Sequence, residues 1–356
     1  MAKVNIPSST GDGRVIKVLV WDLDDTLWSG TLLSGDAVEV RPAAEQTLDT
    51  LDRRGILHSI ASRNDPETAL GKLRELELED YFIYPQIGWS AKSVGIRKIA
   101  ESINVGLDAV AFIDDQPFEL EEVAHAVPQV LTLHAAELAG LTERPEFVPR
   151  FITDESAIRR RMYQADITRQ KAQEEFTGPD EGFLASLEMR FLIAPATEED
   201  LRRAEELTVR TNQLNSTGVT YSYEELDGFR RSDRHLLLVA SLEDKWGTYG
   251  KIGLALVELG SEVWTLKLLL MSCRVMARGV GAILLGYVMR RARQASKRLQ
   301  AELRSTERNR MMVVTYRFAG FEEVERRGEV TALENDLTRI QAFPDYVDVR
   351  IDGESG

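Results

Sequence analysis

The first part of the chain alternates between short apolar runs and amphipathic stretches. The apolar runs RVIKVLVW, ILHSIAS, YFIYPQI, AVAFIDD and QVLTL are typical of strands buried on both faces. Between them we predict helices over AAEQTLDTLDRR and from Asp65, Ser93 and Pro117, because Asp caps a helix and Pro is tolerated in its first turn. Strands that alternate with helices predict an α/β domain with a doubly wound parallel sheet, ending near residue 138.

A second pattern begins near Phe183. Strands are predicted over MRFLIAP, HLLLVASLED, KIGLALVEL, VWTLKLLLM and LQAEL, and helices over EEDLRRAEELTVRTNQ, GVGAILLGYVMRRARQASK and NRMMVVTYRFAG. Consecutive strands followed by helix, strand and helix predict an α+β domain. We therefore predict a disordered tail over 1–14, the α/β domain over 15–140, a connecting helical segment over 141–180 and the α+β domain over 181–348.

Composition narrows the function classes. The chain has 356 residues and a net charge of −14, and the surplus of acid argues against bulk binding of nucleic acid, which needs Lys and Arg to neutralise phosphates. No apolar run reaches the roughly 20 residues that span a bilayer, and the first residues lack the apolar core of a secretory signal. A single cysteine, Cys273, excludes an internal disulfide. We expect a cytoplasmic enzyme or binding protein without a nucleic-acid or membrane partner.

Polar side chains follow the ends of four predicted strands of the α/β domain. They are the run DLDDT that begins at Asp22, then Ser62, Lys92 and the pair Asp114-Asp115. Ligands of doubly wound sheets bind at the carboxyl ends of the strands, so these groups are expected to converge. Carboxylates, a hydroxyl and an ammonium at one edge suit phosphoryl transfer through an aspartyl phosphate, and clustered carboxylate oxygens select Mg²⁺.

In order and type, these motifs resemble the four motifs of the haloacid dehalogenase (HAD) superfamily of phosphatases. The resemblance implies that Asp22 is the nucleophile and that Asp24 is the general acid and base, with its backbone carbonyl on Mg²⁺. It implies a phosphate-binding set of Ser62, Arg63, Asn64 and Lys92. It also implies a metal-binding set of Asp22, Asp24, Asp114 and Asp115. The loop LWSGTLLSGDAVEV is too short for a cap domain, which predicts an uncapped enzyme with a small flap.

Cys273 lies where a predicted strand ends and a predicted helix begins. The positive end of a helix and the charges of Arg274 and Arg278 would lower the pKa of its thiol and raise its reactivity. The segment from Arg274 to Gly279 also resembles the turn that cradles the CoA pyrophosphate in GNAT acyltransferases, although Ala277 stands where that turn has its first Gly. A buried, unreactive cysteine stays open as an alternative.

The α+β domain as a whole is similar to the GNAT acyltransferases. The implied acyl- or pantetheine-binding residues are Asn212, Gln213, Asn215, Arg274, Arg278, Gly279 and Asn309. The catalytic set implied for the whole chain is Asp22, Asp24, Lys92 and Cys273.

The motifs WDLDDTLW, IASRND and FIDDQP, followed by RTNQLNST and MSCRV-x-x-RG, together resemble the FkbH-like proteins of polyketide biosynthesis over residues 15–345. Members of that family are bifunctional glyceryltransferase/phosphatases. The resemblance implies that this chain takes D-1,3-bisphosphoglycerate, removes phosphate, and loads the glyceryl unit as a thioester on an acyl carrier protein, with Mg²⁺ as cofactor. The resemblance also implies that other enzymes then oxidise and methylate the unit, typically to methoxymalonyl-carrier protein.

Two other functions stay open at this point. The chain could be a plain Mg²⁺-dependent phosphatase of a small phosphometabolite, with a second domain that only binds ligand. It could also be a non-catalytic interaction module, although the complete set of Asp22, Asp24, Lys92 and Asp114 argues against that.

Overall fold

The chain divides into two compact units, residues 1–164 and 165–356. The computed structural model describes residues 14–211, 213–307 and 309–352, with Cys273 described through its backbone alone. The division falls inside the segment 141–180 that the sequence predicts to be a connection. The predicted tail over 1–14 lies, apart from Arg14, outside the described residues.

From residue 14 onward, the first unit contains seven strands and five α-helices, and a sixth, longer helix spans residues 164 and 165, where the units divide. The strands are β1 Val18–Trp21, β2 Trp28–Ser29, β3 Glu39–Val40, β4 Leu57–Ser62, β5 Gln86–Ile87, β6 Val110–Asp114 and β7 Leu131–His134. The helices are α1 Pro42–Arg53, α2 Pro66–Glu75, α3 Lys92–Ile103, α4 Pro117–Ala126, α5 Asp154–Ala157 and the crossing helix α6 Arg159–Glu175.

Five of these strands form a wholly parallel sheet in the order β5-β4-β1-β6-β7. Strand β1 is central and buried on both faces: Leu19 and Trp21 pack into the core that α1 and α2 cover, and Val18 and Val20 are equally buried on the other face. The parallel α/β sheet predicted from the alternating pattern is therefore confirmed. The strands β2 and β3 form a separate two-stranded antiparallel flap.

The prediction of a strand over YFIYPQI, residues 81–87, is wrong for most of its length. Only Gln86–Ile87 pairs as β5, and residues Glu79–Tyr81 form a 3-10 turn. Tyr84 adopts a left-handed conformation with φ of 51°, and Pro85 has no N–H to donate to a neighbouring strand. The apolar residues of this stretch are buried without forming a continuous strand.

A buried histidine supports the end of β1. The Trp21 indole nitrogen donates to Nδ1 of His58, 3.1 Å away, and Nε2 of His58 lies 3.1 Å from the backbone oxygen of Leu48, to which it donates when Nδ1 accepts. His58 is fully buried, and burial lowers the pKa of its imidazole from 6.5 to about 4. The native state therefore holds this ring neutral, whereas the unfolded chain binds a proton below about pH 6.5.

We predict that the contribution of His58 to stability falls as the pH drops from about 6.5 towards 4, because this ring binds a proton more readily in the unfolded chain. From the cited pKa values, His58 alone removes about 2 kcal/mol of unfolding free energy between pH 7 and pH 5. Urea unfolding of the wild type and of His58→Gln at the two pH values measures this. The variant should lose that part of the pH dependence, and equal slopes for both proteins would contradict the prediction.

The described residues of the second unit form eight strands and five further α-helices. The strands are β8 Met189–Pro195, β9 His235–Asp244, β10 Gly247–Leu259, β11 Val263–Met271, β12 Arg298–Leu303, β13 Glu322–Arg327, β14 Val330–Asn335 and β15 Val347–Ile351. The helices are α7 Asp180–Ser186, α8 Leu201–Arg210, α9 Tyr223–Arg230, α10 Ile283–Gln294 and α11 Arg310–Phe318.

The eight strands form one mixed sheet in the order β13-β14-β12-β11-β10-β9-β8-β15. The pairs β11/β12 and β8/β15 are parallel, and the remaining pairs are antiparallel. Helices α8 and α9 contribute to the apolar core on one face, and α7, α10 and α11 contribute to the core on the other. The three consecutive antiparallel strands predicted from the sequence are confirmed as β9, β10 and β11.

The helix predicted to start at Gly279 begins at Ile283 instead. The chain forms a 3-10 turn over Cys273–Arg278, and Gly279 ends that turn in a left-handed conformation with φ of 68°. Cys273 therefore opens a short turn, and the prediction that it lies at the N-terminus of an α-helix is wrong. Helix α9 and strands β13, β14 and β15 were absent from the predicted elements.

Candidate functional site

The carboxyl ends of β1 and β6 and the start of α3 bring three carboxylates and one ammonium together. Nζ of Lys92 lies 2.8 Å from Oδ1 of Asp22 and 2.5 Å from Oδ2 of Asp114. Carboxylate oxygens of Asp22, Asp114 and Asp115 lie within 4.8 Å of one another. Asp22, Asp114 and Lys92 are almost completely buried. The sequence predicts that the carboxylates and the Lys92 ammonium meet at this edge of the sheet, and in the structure they do.

Burial and mutual repulsion raise the pKa values of these carboxyl groups. Burial, reinforced by the charge of Asp114, raises the pKa of Asp22 to about 6, although Lys92 and a hydrogen bond from Ser62 oppose the change. Burial also raises the pKa of Asp114, and burial together with the charge of Asp22 raises that of Asp115. Burial disfavours the Lys92 ammonium, yet the two carboxylates outweigh it and raise its pKa. One ammonium does not neutralise three carboxylates.

The residues at this edge fit a divalent metal ion. They offer oxygen ligands only, which hard cations such as Mg²⁺ prefer, and their excess negative charge favours a cation. Asp22, Asp114 and Asp115 would hold the ion with their side chains. Asp24, the fourth predicted ligand, is outside this set of carboxylate oxygens, so any contribution from it would come through its backbone, as the sequence predicts.

Three N–H donors hold the carboxylate of Asp24. The indole nitrogen of Trp28 and the backbone nitrogen of Leu32 donate to its Oδ1 at 2.8 and 3.1 Å. The Asn64 amide donates to its Oδ2 at 3.1 Å. Trp28 and Leu32 belong to the flap, so the flap orients Asp24. Trp28 is a functional residue that was not predicted from sequence, although a hydrogen-bonding aromatic residue four positions after Asp24 is a usable signal.

The other predicted phosphate-binding residues separate into two groups. Ser62 ends β4 and donates to Asp22, and a cavity of about 150 Å³ opens beside it and Lys92. Arg63 forms an ion pair outside the carboxylate cluster, with its Nε 3.1 Å from a carboxylate oxygen of Glu119. The amide of Asn64 bonds Asp24, as described above. Ser62 and Lys92 are thus beside the carboxylates, whereas Asn64 positions Asp24 and Arg63 pairs with Glu119.

A short segment before α9 fills the edge of β11 in the second unit. Strands β11 and β12 pair only over Val263–Leu266 and Arg298–Ala301. Beyond that point, the backbone nitrogen of Ser216 donates to Leu269 and that of Met271 donates to Leu214, both at 2.9 Å. Residues 214–216 therefore lie along β11 immediately before the Cys273 turn.

Asn215 and Asn309, two of the predicted acyl-binding residues, meet beside this segment. Nδ2 of Asn309 donates to the backbone oxygens of Asn215 and Arg304, both at 2.9 Å. Asn309 therefore anchors the segment, and its amide donors are engaged by backbone. Oδ1 of Asn215 accepts from the backbone of Thr217 and Gly218, whereas its Nδ2 is buried and has no partner among the described residues. Gln213 is exposed, and Asn212 lies outside the described residues.

The turn that starts at Cys273 is fixed to β10 at its N-terminal end. The backbone nitrogen of Ser272 donates to Ile252 at 2.6 Å, and Nη2 of Arg274 donates to the backbone oxygen of Tyr249 at 3.0 Å. At the other end, Arg278 is buried with only 8% of its surface exposed. Its Nε and Nη1 have no hydrogen-bond acceptor in the part of the chain that the structure describes.

A buried ion-pair network that the sequence analysis missed lies at the β9–β10 hairpin. Nε and Nη2 of Arg169 donate to the two carboxylate oxygens of Asp244 at 2.7 and 2.8 Å. The Tyr249 hydroxyl donates to the same carboxylate at 2.9 Å, and the Arg169 guanidinium stacks 3.8 Å from the Tyr249 ring. Burial, above all, raises the pKa of Tyr249. Lys245 and Trp246 form the turn of this hairpin. The contact of Asp244 with Arg169 of α6 carries no local sequence signal, because the two residues are far apart in the chain.

Parts of the chain are similar to solved structures of two kinds. One is the N-terminal part of a Bacteroides fragilis protein that contains a phosphatase domain and is complexed with Mg, at 28% identity and a TM-score of 0.30 over 34% of this chain. The match spans 36% of that protein's chain. No protein-family model matches this chain, and no curated protein does.

The other kind is acetyltransferases. The ribosomal-protein-S18-alanine N-acetyltransferase of Escherichia coli matches at 18% identity and a TM-score of 0.32, over 40% of this chain and 90% of its own. The GNAT domain of PAT from S. lividans matches at 19% identity and a TM-score of 0.33, over 40% of this chain and 88% of its own.

Among the described residues, no helix has both the length and the hydropathy needed to cross a membrane.

Proposed function

We propose that this chain is a bifunctional enzyme that transfers a glyceryl unit from D-1,3-bisphosphoglycerate to the thiol of an acyl carrier protein and removes a phosphate in the process. The observation that carries the proposal is the contact of the buried Asp22 carboxylate with Lys92, 2.8 Å away, inside a cluster of three carboxylates. The motif resemblance over residues 15–345 supplies the substrate and the partner. Each of the two units would release one phosphate of the substrate: the first unit hydrolyses the monoester, and the second displaces the phosphate of the acyl phosphate.

The phosphate monoester would be hydrolysed in the first unit. An Asp22 oxygen attacks phosphorus, the bond from phosphorus to the ester oxygen breaks, and Asp24 gives a proton to the leaving alkoxide. Water then attacks the phosphorus of the aspartyl phosphate and gives a proton to Asp24. The bond from phosphorus to the Asp22 oxygen breaks, and phosphate is released. Ser62 and Lys92 hold the phosphoryl oxygens, and Mg²⁺ bound by Asp22, Asp114 and Asp115 would neutralise negative charge on the phosphoryl group.

The acyl phosphate would react in the second unit. An acyl phosphate is already activated, and the sequence has no GxxxxGK[ST] loop that would indicate activation by ATP. The Cys273 thiolate can displace its phosphate to form an enzyme thioester, which then passes to the carrier thiol. The unpartnered amide of Asn215, beside β11, supports the presence of a polar ligand in this region, because buried donors rarely lack an acceptor.

Intact-mass spectrometry after incubation with bisphosphoglycerate tests the proposal. The sequence contains one cysteine, so a thiol-bound glyceryl group can only be on Cys273. A glyceryl adduct that disappears when the carrier protein is added supports transfer. Release of phosphate without any adduct would instead identify a plain phosphatase and overturn the proposal.

We predict that Trp28→Phe slows the phosphatase step, because it removes the indole N–H that holds Asp24 and keeps an aromatic ring in the core. We expect kcat for a phosphate monoester to fall on the order of tenfold with little change in KM, since Asp24 positions a proton and does not bind the ground-state phosphate.

The matched control is Trp21→Phe, which removes an indole N–H that donates to His58. This change should affect stability far more than kcat. If Trp28→Phe keeps the wild-type kcat, the positioning role of the flap is wrong.

A further inference from the structure

Arg278 carries a buried charge that no other described residue neutralises. Its Nε and Nη1 lack acceptors, and it forms no ion pair among residues 14–211, 213–307 and 309–352. A buried charge is costly unless a counter-charge and hydrogen bonds compensate it. Arg169, which is also buried in this unit, has Asp244 as its partner 2.7 Å away. The contrast indicates that the counter-charge of Arg278 comes from a bound anion.

The position of Arg278 links that anion to the cysteine. Arg278 closes the six-residue turn that Cys273 opens. Arg274, at the start of the turn, bonds the backbone of Tyr249, and the positive charge of Arg278 acts on the hydroxyl of the same tyrosine. The start of the turn is thus bonded to β10, and Arg278 at its end is close enough to Tyr249 for its charge to lower the pKa of that hydroxyl.

Gly279 fixes the end of the turn directly after Arg278. Its left-handed conformation, with φ of 68°, suits glycine. A Cβ at this position would lie 2.2 Å from the Tyr346 hydroxyl, so a larger residue would also have to displace that side chain. The positive φ of Gly279 thus defines the point at which the turn that carries Arg278 ends.

We propose that Arg278 binds the phosphate group that leaves when Cys273 is acylated; this rests on the proposed function. The Cys273 sulfur forms a bond to the acyl carbon, and the bond from that carbon to the phosphate oxygen breaks. The electron pair of the broken bond leaves with the phosphate, and the thiol proton ends on it as hydrogen phosphate. A guanidinium offers parallel N–H donors that match phosphate oxygens, and its charge offsets the charge that develops on the leaving group.

Two acyl donors that differ only in the leaving group test this inference. One is 1,3-bisphosphoglycerate, and the other is the 3-phosphoglyceryl thioester of N-acetylcysteamine, whose leaving thiol carries no phosphate. The rate of adduct formation on Cys273 is followed by intact mass in the Asp22→Asn background, in which the adduct keeps its remaining phosphate. The variants are Arg278→Met, Arg278→Lys and, as a matched control, Arg293→Met at an exposed arginine of α10.

We expect Arg278→Met to slow acylation by bisphosphoglycerate on the order of 100-fold and to leave acylation by the thioester within a few-fold of the parent rate. Arg278→Lys, which keeps the charge and loses the fork, should recover part of the rate. Arg293→Met should resemble the parent with both donors.

Three outcomes would overturn the inference. An equal loss with both donors would mean that Arg278 supports the fold of the turn or binds the other phosphate. No loss with either donor would mean that it binds no phosphate during acylation. Absence of any adduct from bisphosphoglycerate in the parent protein would refute the proposed function itself, and this inference with it.

Discussion

Asp22→Asn is expected to reduce phosphate release from a monoester on the order of a thousandfold or more, because an amide cannot accept the phosphoryl group and is a poor ligand for Mg²⁺. The substitution keeps the size of the side chain and removes a buried carboxylate from a crowded cluster of three, so the fold should persist. Phosphate release measured with a small monoester gives the rate, and the melting temperature checks the fold.

The same variant separates the two proposed activities. The glyceryl group loaded on Cys273 should be heavier by one phosphoryl group than in the wild type, which intact mass detects. Asp108→Asn is a suitable control, since Asp108 is exposed and precedes β6, at the end of that strand opposite to Asp114. Monoester hydrolysis by Asp22→Asn at a near-normal rate would show that Asp22 is not the nucleophile.

Cys273→Ala is expected to abolish loading of the carrier protein and to leave monoester hydrolysis largely intact, because the carboxylate cluster belongs to the other unit. Loading is measured as the mass increase of the carrier protein, and hydrolysis as phosphate release from the same preparation. Carrier protein charged at the wild-type rate by Cys273→Ala would mean direct transfer from the acyl phosphate, without an enzyme thioester.

Cys273→Ser sharpens that test. A serine hydroxyl ionises far less readily than a thiol, and an oxygen ester passes its acyl group to a thiol less readily than a thioester does. The serine variant should therefore load slowly or accumulate an acyl-enzyme that is visible by mass. Loading by the serine variant at the wild-type rate would contradict a nucleophilic role for position 273.

The aspartate site could be predicted largely from sequence because its residues are attached to strand ends. Strand burial is a strong local signal, and parallel strands bring their carboxyl ends to one edge. The hydrogen-bond partners of Arg63 and Asn64 could not be predicted from strand ends alone. Their neighbours Glu119 and Asp24 belong to other elements, and only the folded chain brings them into contact.

In the second unit, the local pattern of hydrophobic residues did not predict several elements. Strand β13 has the sequence EEVERR and is exposed throughout, so no hydrophobic alternation marked it. The sequence predicts a helix from Gly279, whereas the left-handed Gly279 ends the turn that starts at Cys273, and α10 begins only at Ile283. The pairing of residues 214–216 with β11 joins segments far apart in sequence and leaves no periodic signal.

The parallel pairing of β15 with β8 has a consequence for the order of events during synthesis of the chain. Strand β15 begins at Val347, and the Tyr346 hydroxyl before it contacts the region of Gly279. The sheet of the second unit is complete only after these residues have left the ribosome, whereas the last strand of the first sheet ends at His134. Because domains tend to fold as units in order of synthesis, we expect nascent chains stalled near residue 300 to have a formed aspartate cluster and an unsupported cysteine turn.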